Sequence, residues 1–365
     1  MAWALSGCAG TESRAVTHLA EAPSTNRKIV AIQAARDHAC ALDQAGAVWC
    51  WGNNHDLQVT DAAGCAESCV TPTSAGLTEP AKAIGLGERA SCALLSSGAV
   101  RCWGEHQRPL QRAAARADRL AIEDPRSCDI SAGVLSCDGW NRMGRLGVRD
   151  DQHEYVARAA VPVPKPVKSA IIMLQFGCAA ADELYCWGSR LECAGPRPVK
   201  TPQPIVDIQG GGSFACFLGS AGDVFGLVQY QEHVAEDGGV EGCSPAIEVE
   251  DELKVPLAKG AKAVDCFGPS DGERCETCQG CIIRTDESVA CWGRDDKAGP
   301  QASVALEPVA GVTGATQITM GNGFACALTR EGKALCWGRN ERGQLGRGFA
   351  SPRESVPAEP VMLSR

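Results

Sequence analysis

A pair of cysteines about ten residues apart recurs along this chain and limits what it can fold into. The first pair begins with Cys40-Ala41-Leu42, and the last ends with Cys336-Trp337-Gly338. A turn, often with a glycine, lies between the two cysteines. Six copies carry both: Cys40 and Cys50, Cys92 and Cys102, Cys128 and Cys137, Cys178 and Cys186, Cys281 and Cys291, and Cys326 and Cys336. A seventh keeps Cys216 but has Gly226 in the second place. A unit repeated seven times predicts a repeat architecture.

Each unit also contains an alternating segment before its first cysteine. The residue eight places earlier is Ile32, Ile84, Leu120, Ala170, Ile208 or Ile318, and two places later come Ala34, Leu86, Ile122, Ile172, Gly210 and Met320. In the sixth copy Val264 and Cys266 take these places before an insertion. A period of two predicts a strand. Each unit is therefore predicted to be a strand followed by a two-stranded hairpin, which makes the chain all-β.

The motif residues resemble the regulator of chromosome condensation repeat family. They are Cys-Ala-Leu, the turn glycine, Cys-Trp-Gly-x-Asn and the Gly-Gln-Leu-Gly run that ends at Gly346. The third copy keeps the glycines and Asn141 but moves its tryptophan two places, to Trp140. The resemblance covers about residues 29 to 363 and implies a seven-bladed β-propeller over 29–365. Seven is also the number of hairpins. We expect a last strand at Pro360-Val361 to complete the first blade and close the ring.

The paired cysteines are predicted to lie opposite each other in antiparallel hairpins. A cross-strand pair holds side chains close enough for a disulfide after modest adjustment. The pair is kept where the turn shortens, which favours bridging, while the alternative is buried thiols that act as small apolar side chains. Cys65 and Cys69 are close enough to bridge their own loop. The sequence does not determine the pairing of Cys193, Cys216, Cys243, Cys266, Cys275 and Cys278.

The run Cys275-x-x-Cys278-x-x-Cys281 raises the question of a metal. Zinc needs four converging ligands, but Cys281 already has Cys291 as a hairpin partner. Disulfides are therefore the favoured interpretation, with zinc and a redox pair as alternatives. We expect no metal site and no cofactor.

The N-terminus and the cysteine content indicate the compartment of the protein, and its net charge limits its possible partners. Leu5-Ser6-Gly7-Cys8 resembles the lipobox of bacterial lipoproteins, in which the cysteine receives a lipid. Only seven residues precede Cys8, so we interpret residues 1–28 as a truncated signal with a lipobox and a tether; the alternative is a chance match. With 21 cysteines in 365 residues, an oxidising compartment is favoured. A net charge of −9 argues against nucleic acid as a partner.

The sequence holds no recognisable catalytic motif, and we expect no catalytic residue. The six histidines are mostly predicted in loops. Tryptophans 51, 103, 187, 292 and 337 recur in register, which indicates packing between blades, whereas Trp140 is displaced from that register. Candidate binding residues are Trp140 with Arg142, and Arg108, Arg112 and Arg116, which are spaced for one face of a short basic helix. The alternative for charged loops is a solvated surface.

These observations predict a non-catalytic, monomeric propeller in the bacterial cell envelope or outside the cell. It binds a protein or a glycan through its loops, and contacts the membrane only through a lipid on Cys8. The resembling family includes a chromatin-bound guanine-nucleotide exchange factor and a secreted β-lactamase inhibitor. The alternatives are therefore a secreted enzyme inhibitor and a cytosolic exchange or scaffold protein. The functional residues of family members do not repeat with the motif, so none transfers to this chain.

Overall fold

A computed structural model describes thirteen stretches of the chain: 27–60, 65–105, 119–123, 126–141, 144–148, 155–164, 166–173, 176–188, 195–228, 253, 256–268, 278–293 and 305–361. Their regular structure consists of strands arranged in seven antiparallel sheets, each from one continuous stretch of chain. No helix in these stretches is long and apolar enough to span a bilayer. The predicted seven-bladed β-propeller is confirmed. Cys8 and the other residues of the 1–26 segment lie outside the described residues.

The first four sheets occupy the N-terminal half. Blade 1 contains β1 (Ile29–Ala35), β2 (His38–Asp43), β3 (Val48–Asn53) and β4 (Ser68–Ser74). Blade 2 contains β5 (Ala81–Leu86), β6 (Ala90–Leu95) and β7 (Val100–Gly104). Blade 3 contains β8 (Arg119–Glu123), β9 (Arg126–Ser131), β10 (Val134–Trp140) and β11 (Tyr155–Ala160). Blade 4 contains β12 (Ser169–Ile172), β13 (Phe176–Ala180), β14 (Leu184–Gly188) and β15 (Arg197–Val199).

The remaining three sheets complete the ring. Blade 5 contains β16 (Ile205–Gly211), β17 (Phe214–Gly219) and β18 (Val224–Val228). Blade 6 contains β19 (Ala261–Phe267), β20 (Gln279–Arg284), β21 (Val289–Gly293) and β22 (Glu307–Pro308). Blade 7 contains β23 (Ala315–Gly321), β24 (Phe324–Thr329), β25 (Ala334–Asn340) and β26 (Ser351–Pro360).

The cysteine pairs lie in the predicted register. Cys40 is opposite Cys50, and Leu42 is opposite Val48, in the β2–β3 hairpin. The shortened turns of blades 3 and 4 keep the same cross-strand arrangement, with Cα–Cα distances of 4.1 Å for Cys128–Cys137 and for Cys178–Cys186. All six hairpin pairs are joined as disulfides in the structure. Each closes one hairpin inside one blade.

Two further disulfides with both cysteines in the described stretches lie outside this pattern. Cys65 and Cys69 bridge the entry to β4. Cys216 of β17 is bonded to Cys266 of β19, so it links blade 5 to blade 6. Cys278 is also disulfide-bonded, and Cys281 is bonded to Cys291, so neither is a free thiolate for zinc in this structure. Cys193, Cys243 and Cys275 lie outside the described residues.

The ring closes differently from the prediction. The last strand, β26, pairs with β25 and so completes blade 7 rather than blade 1. Blade 1 already obtains its fourth strand, β4, from the chain that follows its own hairpin, which leaves no position for a C-terminal strand. The seam between blades 7 and 1 is held by hydrogen bonds such as Ile29 N to Gly332 O at 3.0 Å and Ala34 N to Thr319 Oγ1 at 2.8 Å.

The innermost strand of each blade lines a central channel of about 510 Å³. An innermost strand has one edge without a sheet partner, and side chains of the neighbouring blade supply some of the missing acceptors. Ser169 Oγ accepts from Ile208 N at 3.2 Å, and Asp265 accepts from Met320 N at 2.8 Å. Such bonds satisfy buried backbone groups and join adjacent blades.

Candidate functional site

The two ends of the propeller differ. We call the loop face the end that carries the segments following the third strand of each blade, for example 54–60, 141–148 and 340–350. The tight hairpin turns, such as 43–48, lie at the opposite end. The loop segments are the longer and more variable part of the repeat. Because binding residues concentrate on loops held by a rigid scaffold, the loop face is where a site is expected.

The asparagine of the motif shapes these loops. Asn340 Oδ1 accepts from Leu345 N at 3.1 Å, and its Nδ2 donates to Phe349 O at 2.8 Å. Asn141 makes the equivalent bonds to Leu146 N at 2.9 Å and Val148 O at 3.0 Å. Both asparagines are buried. Their role is therefore to fix the loop.

The repeat tryptophans pack between blades, as predicted, and four of the five are buried; Trp337 is half-buried. Trp51 Nε1 donates to Gln344 O of the preceding blade at 2.8 Å, and Trp187 Nε1 donates to Arg145 O at 3.0 Å. Trp103 donates to Val59 O at 3.2 Å. Each of these three indoles ties one blade to the loop of its neighbour. They are therefore not accessible as a ligand platform.

Trp140 is the exception. In blade 3, Asp138 occupies the usual tryptophan position, is buried, and accepts from Ser127 Oγ at 2.6 Å. The displaced Trp140 ends β10 at the loop face and is 47% exposed. Its cross-strand partner is Tyr155, the first residue of β11, which is 51% exposed. Cross-strand partners project from the same side of a sheet, so the structure places two exposed aromatic rings side by side.

An ion pair between a buried aspartate and a partly exposed arginine fixes β11 behind these rings. Asp129 occupies a position that is alanine in four other repeats, and it is almost fully buried. Arg158 of β11 contacts both of its carboxylate oxygens, with Nη2 to Oδ2 at 2.8 Å. Two parallel contacts of this type are directional and strong. An aspartate at a position that is apolar in the other six repeats is the feature of the sequence that could have indicated this pair.

The other predicted binding residues cannot be placed. Arg142 and the group Arg108, Arg112 and Arg116 lie outside the described residues. The exposed aromatic pair therefore combines Trp140, which the sequence indicated as a candidate binding residue, with Tyr155, which it did not. Tyr155 lies fifteen residues after Trp140 in the sequence and outside the repeat motif, so no local pattern in the sequence indicates that the two are partners.

One histidine is an exception to the expectation that the histidines lie mostly in loops. His38 begins β2 and is fully buried, rather than lying in a loop. Its Nε2 is 3.0 Å from Ser91 Oγ, which donates onward to Gln58 O at 2.8 Å. Ser91 must therefore accept from Nε2, which makes the ring a neutral Nε2–H tautomer. Burial lowers the pKa of His38 to about 3. The neutral ring joins blades 1 and 2.

Asp265, which lines the channel, also has a shifted pKa. Burial raises the pKa of Asp265 to about 7, although backbone hydrogen bonds from Met320 and Cys266 oppose the shift. Asp207 raises it slightly further, while forming an ion pair with Arg119 at 3.1 Å. The Asp265 carboxyl group is engaged by the neighbouring blade. Within the described stretches, no three His, Cys, Asp or Glu side chains are grouped to hold a metal.

Comparisons with known proteins agree with this architecture. A model of the regulator of chromosome condensation (RCC1) repeat matches residues 29–58 and 315–344, which are the first and last repeats. The human E3 ubiquitin-protein ligase HERC2 is 24% identical over 339 residues, covering 86% of this chain. The mouse protein matches over the same length with the same identity. The chain spans only 6% of the length of either relative.

Solved structures show the same fold at low identity. The ectodomain of the receptor kinase ACR4 from Arabidopsis thaliana has a TM-score of 0.51 and 17% identity, covering 91% of this chain and 100% of its own. Prp20p from Saccharomyces cerevisiae has a TM-score of 0.50 and 16% identity, covering 92% of this chain and 77% of its own. Repeat motif, blade number and ring together show that the chain is a seven-bladed β-propeller whose first and last repeats match the regulator of chromosome condensation (RCC1) repeat.

Proposed function

We propose that this protein is a non-catalytic binding propeller that recognises a protein partner through the loop face of blade 3. The observation that carries the proposal is the exposed Trp140–Tyr155 pair. Tryptophan and tyrosine are the residues most often found to dominate binding energy at protein interfaces, together with arginine. Here they project from a sheet that is braced by a disulfide and by the Asp129–Arg158 ion pair, so little conformational freedom is lost on binding.

The compartment is part of the same proposal. We place the protein in an oxidising environment, in the bacterial envelope or outside the cell, with Cys8 as the lipid-bearing residue. Support comes from one disulfide-bonded cysteine pair in each of six blades and from the bond between blades 5 and 6. Disulfides of this number are rare where thiols are kept reduced. A cytosolic exchange or scaffold protein, the alternative, would carry these cysteines as thiols.

A photo-crosslinking experiment tests the partner. Benzoylphenylalanine is introduced at Trp140, and at Val206 as a matched control, because Val206 is an exposed apolar residue on blade 5. We expect the Trp140 position, and not the Val206 position, to capture one protein in stoichiometric amount in the native host. The captured protein is then purified. We expect it to bind Trp140→Ala at least tenfold more weakly than the wild type, and Val206→Ala within twofold.

Two results would oppose the proposal. Equal capture at both positions would show that the aromatic pair is not the docking site. Equal affinity of wild type and Trp140→Ala for the purified partner would show that the ring contributes nothing. The compartment is tested separately, by mass spectrometry of alkylated protein from its native host without reduction. Free thiols at the hairpin cysteines in that measurement would indicate a cytosolic location instead.

A further inference from the structure

The outer edge of blade 3 differs from the other outer edges. The last strand of a blade presents unpaired N–H and C=O groups, and natural proteins protect such edges with proline, charge or covering segments. Among the five fourth strands that the structure describes, four contain proline: β4 has Pro72, β15 has Pro198, β22 has Pro308, and β26 has Pro352, Pro357 and Pro360. The fifth, β11, has the sequence Tyr-Val-Ala-Arg-Ala-Ala and contains no proline.

Charge does not protect this edge either. Arg158 is the only charged residue of β11, and its guanidinium is bonded to the buried Asp129. Tyr155, Ala157, Arg158 and Ala160 are all exposed, so nothing in the described stretches covers the strand. The edge is therefore neutral, uncovered and free of proline, which are the properties that permit another strand to pair with it.

The register shows which groups point outward. Cys128 and Cys137 have their Cα atoms 4.1 Å apart, as in a non-hydrogen-bonded antiparallel pair. The N–H and C=O of Cys137 must then point toward β11, where Ala159 is its partner. The hydrogen bond from Val161 N to Leu135 O, at 3.0 Å, shows that Val161, two residues after Ala159, also directs its N–H toward β10. Ala160 lies between Ala159 and Val161, so its N–H points away from β10.

We propose that β11 accepts an extended segment of the protein partner as a fifth strand of blade 3. This inference rests on the function proposed above and names how the partner binds. Main-chain hydrogen bonds to an exposed edge provide affinity, and pockets for alternate side chains provide specificity. The segment's residue opposite Tyr155 lies against the Trp140–Tyr155 pair. A large apolar side chain fits there, and an uncharged segment fits the neutral edge.

The edge suits a flexible segment better than a second copy of the chain. A six-residue strand is about 20 Å long. Its contact area is far below the roughly 1,000 Å² that a stable interface between two folded chains requires. Repeated N–H and C=O groups at the edge match a polypeptide, not a glycan, because only a polypeptide presents the same groups at the same spacing.

The test uses a random-decapeptide phage library selected on the full-length protein. Synthetic copies of the selected peptides are measured by fluorescence anisotropy against wild type, Ala160→Pro and Ala160→Ser. Proline removes the outward N–H without breaking a bond to β10, whereas serine keeps it. We expect at least tenfold weaker binding to Ala160→Pro and less than twofold change for Ala160→Ser.

A second measurement does not depend on how the proline variant folds. Single N-methyl groups are placed along the bound peptide. Strand pairing predicts that methylation of every second amide abolishes binding and that methylation of the intervening amides is tolerated. Loss of binding to Trp140→Ala is expected as well, because the aromatic pair holds one side chain of the peptide.

The outcomes separate the two proposals. If peptides lose affinity for Trp140→Ala but bind Ala160→Pro normally and show no alternation on methylation, strand addition is wrong and the aromatic docking site stands. If no selected peptide depends on either residue, both proposals fail. A concentration-dependent dimer that Ala160→Pro abolishes would assign the edge to a second copy of the chain and overturn the peptide segment as its occupant.

Discussion

Cys216 and Cys266 join two blades, and their disulfide replaces the hairpin disulfide that blade 5 lacks. Gly226 lies opposite Cys216 in the β17–β18 hairpin, so no sulfur is available there. Cys216 and Cys266 are 50 residues apart in the sequence. The separation is 10 for Cys326 and Cys336 and 4 for Cys65 and Cys69.

These loop lengths predict an order of stabilisation. In the chain-entropy model the three disulfides contribute about 4, 3 and 2 kcal/mol respectively. We expect the double alanine variants to lose stability in that order, measured by guanidinium unfolding without reductant. Cys65 and Cys69 serve as the short-loop control. Equal losses for all three would show that the entropy of the unfolded chain does not determine their effect.

The Asp129–Arg158 pair predicts a non-additive mutant cycle. Arg158→Ala removes one charged partner of the buried Asp129 carboxylate while Arg158 itself is partly exposed, and we expect a loss of about 1 to 3 kcal/mol. The double variant Asp129→Ala/Arg158→Ala should recover much of that loss, because alanine occupies the same position in four other blades. Unfolding by urea measures both. Additive losses would show that the ion pair is not what holds β11.

His38 predicts a pH-dependent stability. Its folded-state pKa of about 3 lies below the ordinary value of 6.5, so the unfolded chain binds more protons between these values. Its contribution is fully present above pH 6.5 and is lost as the pH falls toward 3. We expect His38→Gln to reduce the slope of stability against pH between 4 and 6.5. His55→Gln, at an exposed histidine, is the matched control, and a slope change as large as that of His38→Gln would contradict the prediction.

Leu57 predicts that one substitution stabilises the protein. It lies in the blade 1 loop with φ of 61°, where blades 3 and 7 have Gly144 and Gly343. A bulky residue in this region costs about 1 to 2 kcal/mol, partly offset by the greater freedom of glycine in the unfolded chain. We expect Leu57→Gly to raise the free energy of unfolding by up to about 1 kcal/mol.

The reciprocal change provides the control for Leu57. A Cβ at Gly343 would lie 2.7 Å from Val70 Cα, and the backbone φ there is 74°. Gly343→Ala should therefore destabilise by more than about 1 kcal/mol. Thermal unfolding of both variants distinguishes strain from packing. A destabilised Leu57→Gly would show that the leucine side chain contributes more by packing than its backbone costs.

The local features of the repeat were predictable from sequence. Strand alternation and cysteine spacing led directly to the register of Cys40 opposite Cys50, because both depend on neighbouring residues in one hairpin. The displacement of Trp140 from its register distinguished it from the other tryptophans, and its ring is exposed in the structure. These predictions required no knowledge of how blades are arranged.

Features that depend on contacts between blades were not predictable. The buried His38 ring donates a hydrogen bond from Nε2 to Ser91 Oγ of the next blade, and nothing near His38 in sequence indicates this contact. The pairing of Cys216 with Cys266 depends on the packing of blade 5 on blade 6. The final strand was assigned to blade 1, because the sequence did not reveal that β4 already fills that place.

The way the ring closes has a consequence for synthesis of the protein. Because every described sheet comes from one continuous stretch of chain, a blade can form as soon as its own strands emerge from the ribosome. No blade waits for a strand from the opposite terminus. The last step is then the docking of blade 7 onto blade 1 through contacts such as Ala34 N to Thr319 Oγ1. Blades 7 and 1 are not consecutive in the chain, so only non-covalent contacts hold that junction, and under mechanical load the ring should open there first.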